Sequence, residues 1–225
     1  MNMTILHRDD LPLGGFSSLQ EHRLVVDHRM GGSDDTWDGL GSFVYLADAQ
    51  FLPHGETRMH SHKEIDVISV MVQGRINHEG SLQHGQAMLA NQVQVQRAGG
   101  EGFKHNEVNP GAVQNRMIQL WVLPEIAGEP ANYKFYDLEP GKAIRVYGGA
   151  KDQEQTLDSH TIMDVALLSN KQHLSKTGEF MAYLCLGSGE LNGQTVQEGD
   201  LVRGIDLDFT ATTAVQLIII TTEEF

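Results

Sequence analysis

The chain predicts an all-β architecture, a sandwich or barrel in two similar halves, and three observations predict it. First, short apolar runs rich in β-branched or bulky residues stand between polar or Gly/Pro positions: Val67–Val72, Met117–Leu123 and Val215–Ile220. Runs of this length suit buried strands better than helices. Second, the chain has 24 glycines, and its turn signals recur about every ten residues, the spacing of strands in a sandwich or barrel. Third, the halves look alike. Gly74-Arg75-Ile76-Asn77 closes the Val67–Val72 run, and 115 residues later Gly189-Glu190-Leu191-Asn192 closes the run Phe180–Leu186.

In chain order, Asp9–Leu13 reads as a short helix on weak apolar periodicity, and Thr161–Leu168 is the second helical expectation on the same grounds. His60-Ser61-His62 runs into the strand Ile65–Val72, and Gly99, Gly100 and Gly102 supply a flexible turn before His105-Asn106-Glu107. After Trp121-Val122-Leu123-Pro124 the apolar pattern is interrupted by Gly128, Pro130 and Pro140, which places the domain boundary between residues 128 and 129. The expected domains are 1–128 and 129–225. In the second, Asn192-Gly193 flanked by Leu191 and Thr195-Val196 is a type I′ hairpin signal.

Lys plus Arg number 16 against 30 Asp plus Glu, a net charge of -14. No basic block offsets it, so a nucleic-acid backbone would be repelled and direct nucleic-acid binding is excluded, while a protein partner with a basic face is compatible. Cys185 is the only cysteine, which rules out an intrachain disulfide and a cysteine-rich zinc module. Met1–Leu13 carries His7, Arg8, Asp9 and Asp10 with no long apolar run, and no stretch approaches the roughly 20 apolar residues of a membrane span. The expected location is cytoplasmic.

The chemistry concentrates in two pairs. Residues two apart on an extended backbone share a face, so the imidazoles of His60 and His62 aim the same way and can chelate. His105 and Glu107 repeat that spacing with an imidazole and a carboxylate. On neighbouring strands the two pairs converge into a site of three nitrogens and one oxygen, a ligand set for Fe(II), Mn, Ni, Cu or Zn with positions left open for redox or Lewis-acid chemistry. Eleven histidines make a chance His-x-His unsurprising, but the second pair after a Gly-rich turn favours the metal. Asp66 is expected to share the face of His62 and to hydrogen-bond a ligating imidazole, or else to face solvent. His7, His22, His28, His54, His78, His84, His160 and His173 form no close pair and take surface or ordinary hydrogen-bonding roles, with His54 or His78 as candidates for lining the site's mouth. Cys185, within Ala182–Leu186, is expected to be a small buried hydrophobe. Applying the offset of the repeat, His60 falls on Ser175 and His62 on Thr177, so the second half is expected to bind no metal.

The run from His60-Ser-His62-Lys-Glu-Ile-Asp66 to Gln73-Gly74-Arg-Ile-Asn-His78, followed by Ala98-Gly-Gly-Glu-Gly-Phe-Lys-His105-Asn-Glu107 and Gln119-Leu-Trp-Val122, resembles the pirin family of bicupins, chiefly over residues 40–125. The second half fits more loosely, through Leu191-Asn-Gly-Gln-Thr and Glu198-Gly-Asp200. The resemblance implies two stacked antiparallel β-sandwich or jelly-roll barrel domains. It also implies one metal in the N-terminal domain on His60, His62, His105 and Glu107, with Fe(II) the first choice and Ni, Mn, Cu or Zn as alternatives. Members usually read His-Pro-His-Arg-Gly at the first motif, where this chain has Ser61, Lys63 and Glu64. Their Pro-Gly-Asp turn is replaced near Asn91-Gln92-Val93.

Three functions follow as expectations. The resemblance implies a quercetin 2,3-dioxygenase-like enzyme that opens a flavonol with O2, with Glu107 or a nearby carboxylate taking the 3-hydroxyl proton. It also allows a non-catalytic, metal- or redox-responsive module that binds a regulatory protein. A sugar isomerase or lyase ranks last, because no basic cluster stands near the motifs to hold a phosphate or carboxylate. A monomer or a weak homodimer is expected.

Overall fold

The computed structural model describes residues 3–82 and 85–224. His84 lies outside the described residues. In chain order the strands are β1 (Thr4–His7), β2 (Gly14–Phe16), β3 (Leu19–Val26), β4 (Phe43–Phe51), β5 (His60–His62), β6 (Asp66–Gln73), β7 (Arg75–Gly80), β8 (Gln86–Leu89), β9 (Gln92–Arg97), β10 (Phe103–Val108), β11 (Arg116–Val122) and β12 (Asn132–Asp137). They continue as β13 (Lys142–Gly149), β14 (Ser159–Leu168), β15 (His173–Leu186), β16 (Ser188–Leu191), β17 (Gln194–Gln197), β18 (Asp200–Ala211) and β19 (Val215–Thr222). The three apolar runs of the sequence are the cores of β6, β11 and β19. The expected all-β class therefore holds.

Both helical expectations are overturned. Thr161–Leu168 lies in β14, paired along its length with β13 and β19. Most of its residues are buried, so apolar side chains occupy both faces and the strand period is hidden. Near the start only a single 3-10 turn forms, Arg8–Asp10, and Pro12 follows within two residues.

The chain divides into two compact units, Leu11–Asp137 and a second made of Met1–Asp10 with Leu138–Phe225. The reason the first extends past residue 128 is visible in the pairing: β12 completes the edge of its larger sheet against β9. The first ten residues group with the C-terminal unit because β1 pairs with β18.

In the N-terminal unit a seven-stranded sheet, β12-β9-β6-β11-β4-β3-β2, belongs with a four-stranded one, β5-β10-β7-β8. Leu19, Phe51, Met71 and Met117 of the larger sheet cluster with Ile76 and Met88 of the smaller. Each such side chain contributes about 1.5–3 kcal/mol by leaving water. A second cluster, Ile65, Val67, Ala98 and Phe103 with Trp121 against it, borders the β5–β10 end. The C-terminal unit is one eight-stranded antiparallel sheet around a core that includes Phe180, Leu184, Val202, Phe209 and Leu217. Its Asn192-Gly193 hairpin has the positive φ at both residues (49° and 76°) that a type I′ turn requires.

The turn between β9 and β10 depends on Gly102, whose φ is +76° and where a Cβ would stand 2.8 Å from the backbone oxygen of His62. Gly102→Ala should cost about 1–3 kcal/mol and loosen β5 from β10. Urea unfolding measures the cost, and an unchanged midpoint would contradict this account of the turn.

Candidate metal centre

His60 and His62 do not continue into the following strand. Glu64, at φ 52°, breaks the extended backbone, and β5 joins the smaller sheet while β6 enters the larger one. The expected common face of His62 and Asp66 is therefore lost: Asp66 is fully buried on β6 and accepts from Arg97 Nε at 3.0 Å. Within β5 the i, i+2 argument holds.

Antiparallel pairing of β5 with β10 sets His60 opposite His105 and His62 opposite Phe103. The three imidazoles then converge. Nε2 of His105 lies 2.9 Å from Nε2 of His60 and 3.1 Å from Nε2 of His62, and one nitrogen from each ring falls within 4.8 Å of the others. His60 and His62 are half-buried, His105 has no exposure, and the cluster opens to solvent on the side of β5. Nδ1 of His60 lies 2.9 Å from the carbonyl oxygen of Arg58. Donation there leaves Nε2 with its lone pair. Rings of Phe103 and Trp121 flank His62 at 5.3 and 5.8 Å, and Trp121 stacks on Tyr45 at 4.2 Å.

Glu107, two residues along β10 from His105, is almost completely buried. Its Oε1 accepts from Ser69 Oγ at 3.3 Å, whereas Oε2 has no hydrogen-bond partner among the described residues. The carboxylate stands outside the tight group of three imidazoles. Its backbone is held firmly: Thr57 N–H donates to the Glu107 carbonyl at 3.0 Å, and the Glu107 N–H donates to Thr57 Oγ1 at 3.0 Å. Those two bonds tie the segment ahead of β5 onto β10.

Burial decides the charge state. It pushes Glu107 up to about 7, the Ser69 hydrogen bond opposing the shift. His62 is lowered to about 4 by burial and by the neighbouring His60. His105 is lowered to about 2 by burial, with His60, His62 and His78 adding to the shift. His62 and His105, kept neutral by burial, stand with His60 as three nitrogen donors within 4.8 Å of one another, a set that a cation would satisfy.

Residues that the sequence reading passed over complete the surroundings. His78, read there as unpaired, is buried on β7 with Nε2 3.2 Å from Nδ1 of His105. Gln96 and Gln94 follow behind it, both buried. The signal for His78 was present, since Ile76 and His78 alternate onto one face of a strand. His54, the other candidate for the mouth, is exposed. Cys185 is buried, as expected. A second acidic group, Asp27, His28 and Asp38, has its buried carboxylate occupied by the Arg29 guanidinium and backbone N–H groups.

At the matching junction of the C-terminal unit, the turn after β15 is made by Gly187 at φ 87°, as Gly74 at φ 79° makes the turn after β6. The repeat is thus displaced by two residues from the sequence offset. His173 and Ser175, opposite Thr210 and Asp208, then stand where His60 and His62 stand. His173 opens β15 instead of falling outside it, is exposed, and pairs with Asp208 at 2.9 Å. One imidazole remains there in place of three.

The chain is similar to known proteins in sequence and in fold. The pirin family model matches residues 28–122. A quercetin 2,3-dioxygenase of Escherichia coli (strain K12) is 28% identical over 165 residues, spanning 64% of this chain and 70% of its own. YhhW from Escherichia coli superposes with a TM-score of 0.84 at 14% identity, covering 100% of this chain and 99% of its own. The nickel(II) complex of that bacterial pirin gives the same score over 100% of both chains. A quercetin 2,3-dioxygenase from Acinetobacter baumannii gives 0.74 at 17% identity, over 98% of this chain and 85% of its own. Residues 28–122 thus match the pirin family model, as the motif pairs led one to expect, and the whole chain shares the all-β fold of bacterial pirins.

Proposed function

We propose that the N-terminal unit holds one divalent transition metal on His60, His62, His105 and Glu107, and that the protein is a quercetin 2,3-dioxygenase-like enzyme acting on a flavonol with O2. The observation that carries the reading is the convergence of three Nε2 atoms at 2.9 and 3.1 Å. Three imidazole nitrogens and one carboxylate would suit Fe(II) first, with Ni, Mn, Cu or Zn as alternatives. Glu107 fits as the fourth donor because Oε2 is buried without a partner and a charged ligand there would replace the missing hydrogen bond. The nickel-bound pirin and the relatives named quercetin 2,3-dioxygenase support the same reading.

When bound, the metal supplies Lewis acidity that lowers the pKa of a flavonol 3-hydroxyl and a redox centre beside O2. The chain's own residues do the rest. His60 and His62, half-exposed, leave the solvent side open for a planar ligand. Phe103 and Trp121 bound that side next to His62. With an ion on Oε2, Oε1 of Glu107 would keep a lone pair beside the Ser69 hydrogen bond and would accept the 3-hydroxyl proton there. Fixed from behind by Thr57 and Ser69, its carboxyl keeps its aim while the proton moves.

His62→Ala should remove the metal and leave the fold intact, since β6 and β11 bury their own apolar faces; metal analysis with circular dichroism checks both. A His60→Ala, His62→Ala double variant of the whole chain should contain no metal, and a surviving equivalent would mean that the C-terminal unit has a site. Ni2+ affinity should fall as pH drops below about 7, because the proton held by Glu107 must leave before the carboxylate can ligate. Glu107→Gln should make that dependence one proton shallower, and an unchanged slope would exclude Glu107 as a ligand. Loss of quercetin absorbance should require O2 and the bound metal. Turnover that continues under nitrogen would overturn the dioxygenase assignment.

A further inference from the structure

We propose that His78 is a positioning residue that selects which nitrogen of His105 carries the proton, and that a buried chain of Gln96, Gln94 and Tyr133 holds His78 in the accepting state. The chain is continuous. Nδ1 of His105 is 3.2 Å from Nε2 of His78, Nε2 of Gln96 is 3.1 Å from that same His78 nitrogen, Nε2 of Gln94 donates to Oε1 of Gln96 at 2.9 Å, and the Tyr133 hydroxyl donates to Oε1 of Gln94 at 3.2 Å. His78, Gln94 and Gln96 are each at most 1% exposed, so water does not compete for these bonds.

The polarity of the chain can be worked out from its outer end. Burial pushes the Tyr133 phenol up to about 12, so it stays an O–H donor. Each amide beyond it receives at oxygen and gives at nitrogen, and the last N–H points at Nε2 of His78. That nitrogen must be the acceptor, which puts the His78 proton on Nδ1. An accepting Nε2 then draws the proton of His105 to its Nδ1, leaving Nε2 of His105 with a lone pair among the other two imidazoles. The reverse arrangement would place a proton in the middle of the ligand cluster. For a metal ligand, the hydrogen bond on the far nitrogen sets tautomer and ring orientation. The consequence for metal binding rests on the function proposed above, while the tautomer itself does not.

The test uses the full chain, metal-free and 15N-labelled at histidine, with long-range proton–nitrogen correlation spectra near pH 7. His105 and His78 should both carry the proton on Nδ1. A proton on Nε2 of His105 in the unsubstituted protein would overturn the proposal. His78→Phe keeps an aromatic ring and removes the acceptor; it should shift His105 toward the Nε2-protonated form and weaken Ni2+ binding roughly 10–100-fold. His78→Gln, which restores an acceptor oxygen, should recover part of both. A merely structural role would change the thermal midpoint without moving the His105 nitrogen shifts, and unchanged shifts in folded His78→Phe count against the proposal. Should His78→Phe not fold, Gln96→Leu decides in its place: mixed tautomers at His78 support the chain, and an unmixed Nδ1 form overturns it. If the unsubstituted protein binds no Ni2+, the metal reading fails, and the tautomer measurement still decides this one.

Discussion

Three residue pairs, Phe103 with His62, Lys104 with Ser61 and His105 with His60, hold a partly exposed strand to a buried one, and the arrangement of the centre depends on them. A strand of only three residues has little stability of its own. It is kept in register from outside: by the two hydrogen bonds between Thr57 and the Glu107 backbone at one end, and at the other by the close approach of Gly102 to His62. A slip by one residue would turn both imidazoles to the opposite face and put Ser61 in their place. The register therefore fixes the site as much as the identity of the residues does.

Glu64 shows how this chain meets a constraint that its relatives meet differently. The second residue after the His60–His62 pair must turn sharply between sheets, and in the family pattern a glycine takes that position. Here a glutamate adopts φ 52°, a conformation that costs a non-glycine residue about 1–2 kcal/mol. The side chain gives something back: its carboxylate accepts from the Gly128 N–H at 3.1 Å, and its own N–H donates to the Gly99 carbonyl at 3.0 Å. The strained residue thus binds two loops beside the centre, which a glycine could not do through a side chain. The departure from the family motif changes how the loops are held without touching the imidazoles.

The all-β class, the cores of three strands, the type I′ hairpin and the approach of His60 and His62 to His105 were legible because each rests on local spacing. What the sequence hid was two-sided burial. Gln92-Val93-Gln94-Val95-Gln96 reads as a strand with valines inside and glutamines in water, yet Val93, Val95, Gln94 and Gln96 are all buried, and it is the glutamine face that meets His78. Pattern alone cannot tell a solvated polar face from a polar lining. The same burial made β14 look helical. It also separated Asp66 from His62, because a single positive φ at Glu64 sends successive strands into different sheets, and no period-two argument crosses such a break.

The two units show what a cupin sandwich needs and what the candidate site adds to it. In the C-terminal unit β15 spans the stretch that corresponds to β5 and β6, and β18 the stretch that corresponds to β9 and β10, with a single register shift between Lys176 and Glu179 and no change of sheet. Strands that stay within one sheet bring Phe180, Leu184 and Phe209 into its core. In the N-terminal unit the same strands are broken, and apolar core is given up for imidazoles, glutamines and a carboxyl group, each of which must find a partner out of water. An arrangement that costs stability at so many neighbouring positions is what a functional site looks like in an otherwise apolar sandwich. The breaks place the half-exposed His60 and His62 against the buried His105, so that the cluster is reachable from solvent on one side and rigidly backed on the other.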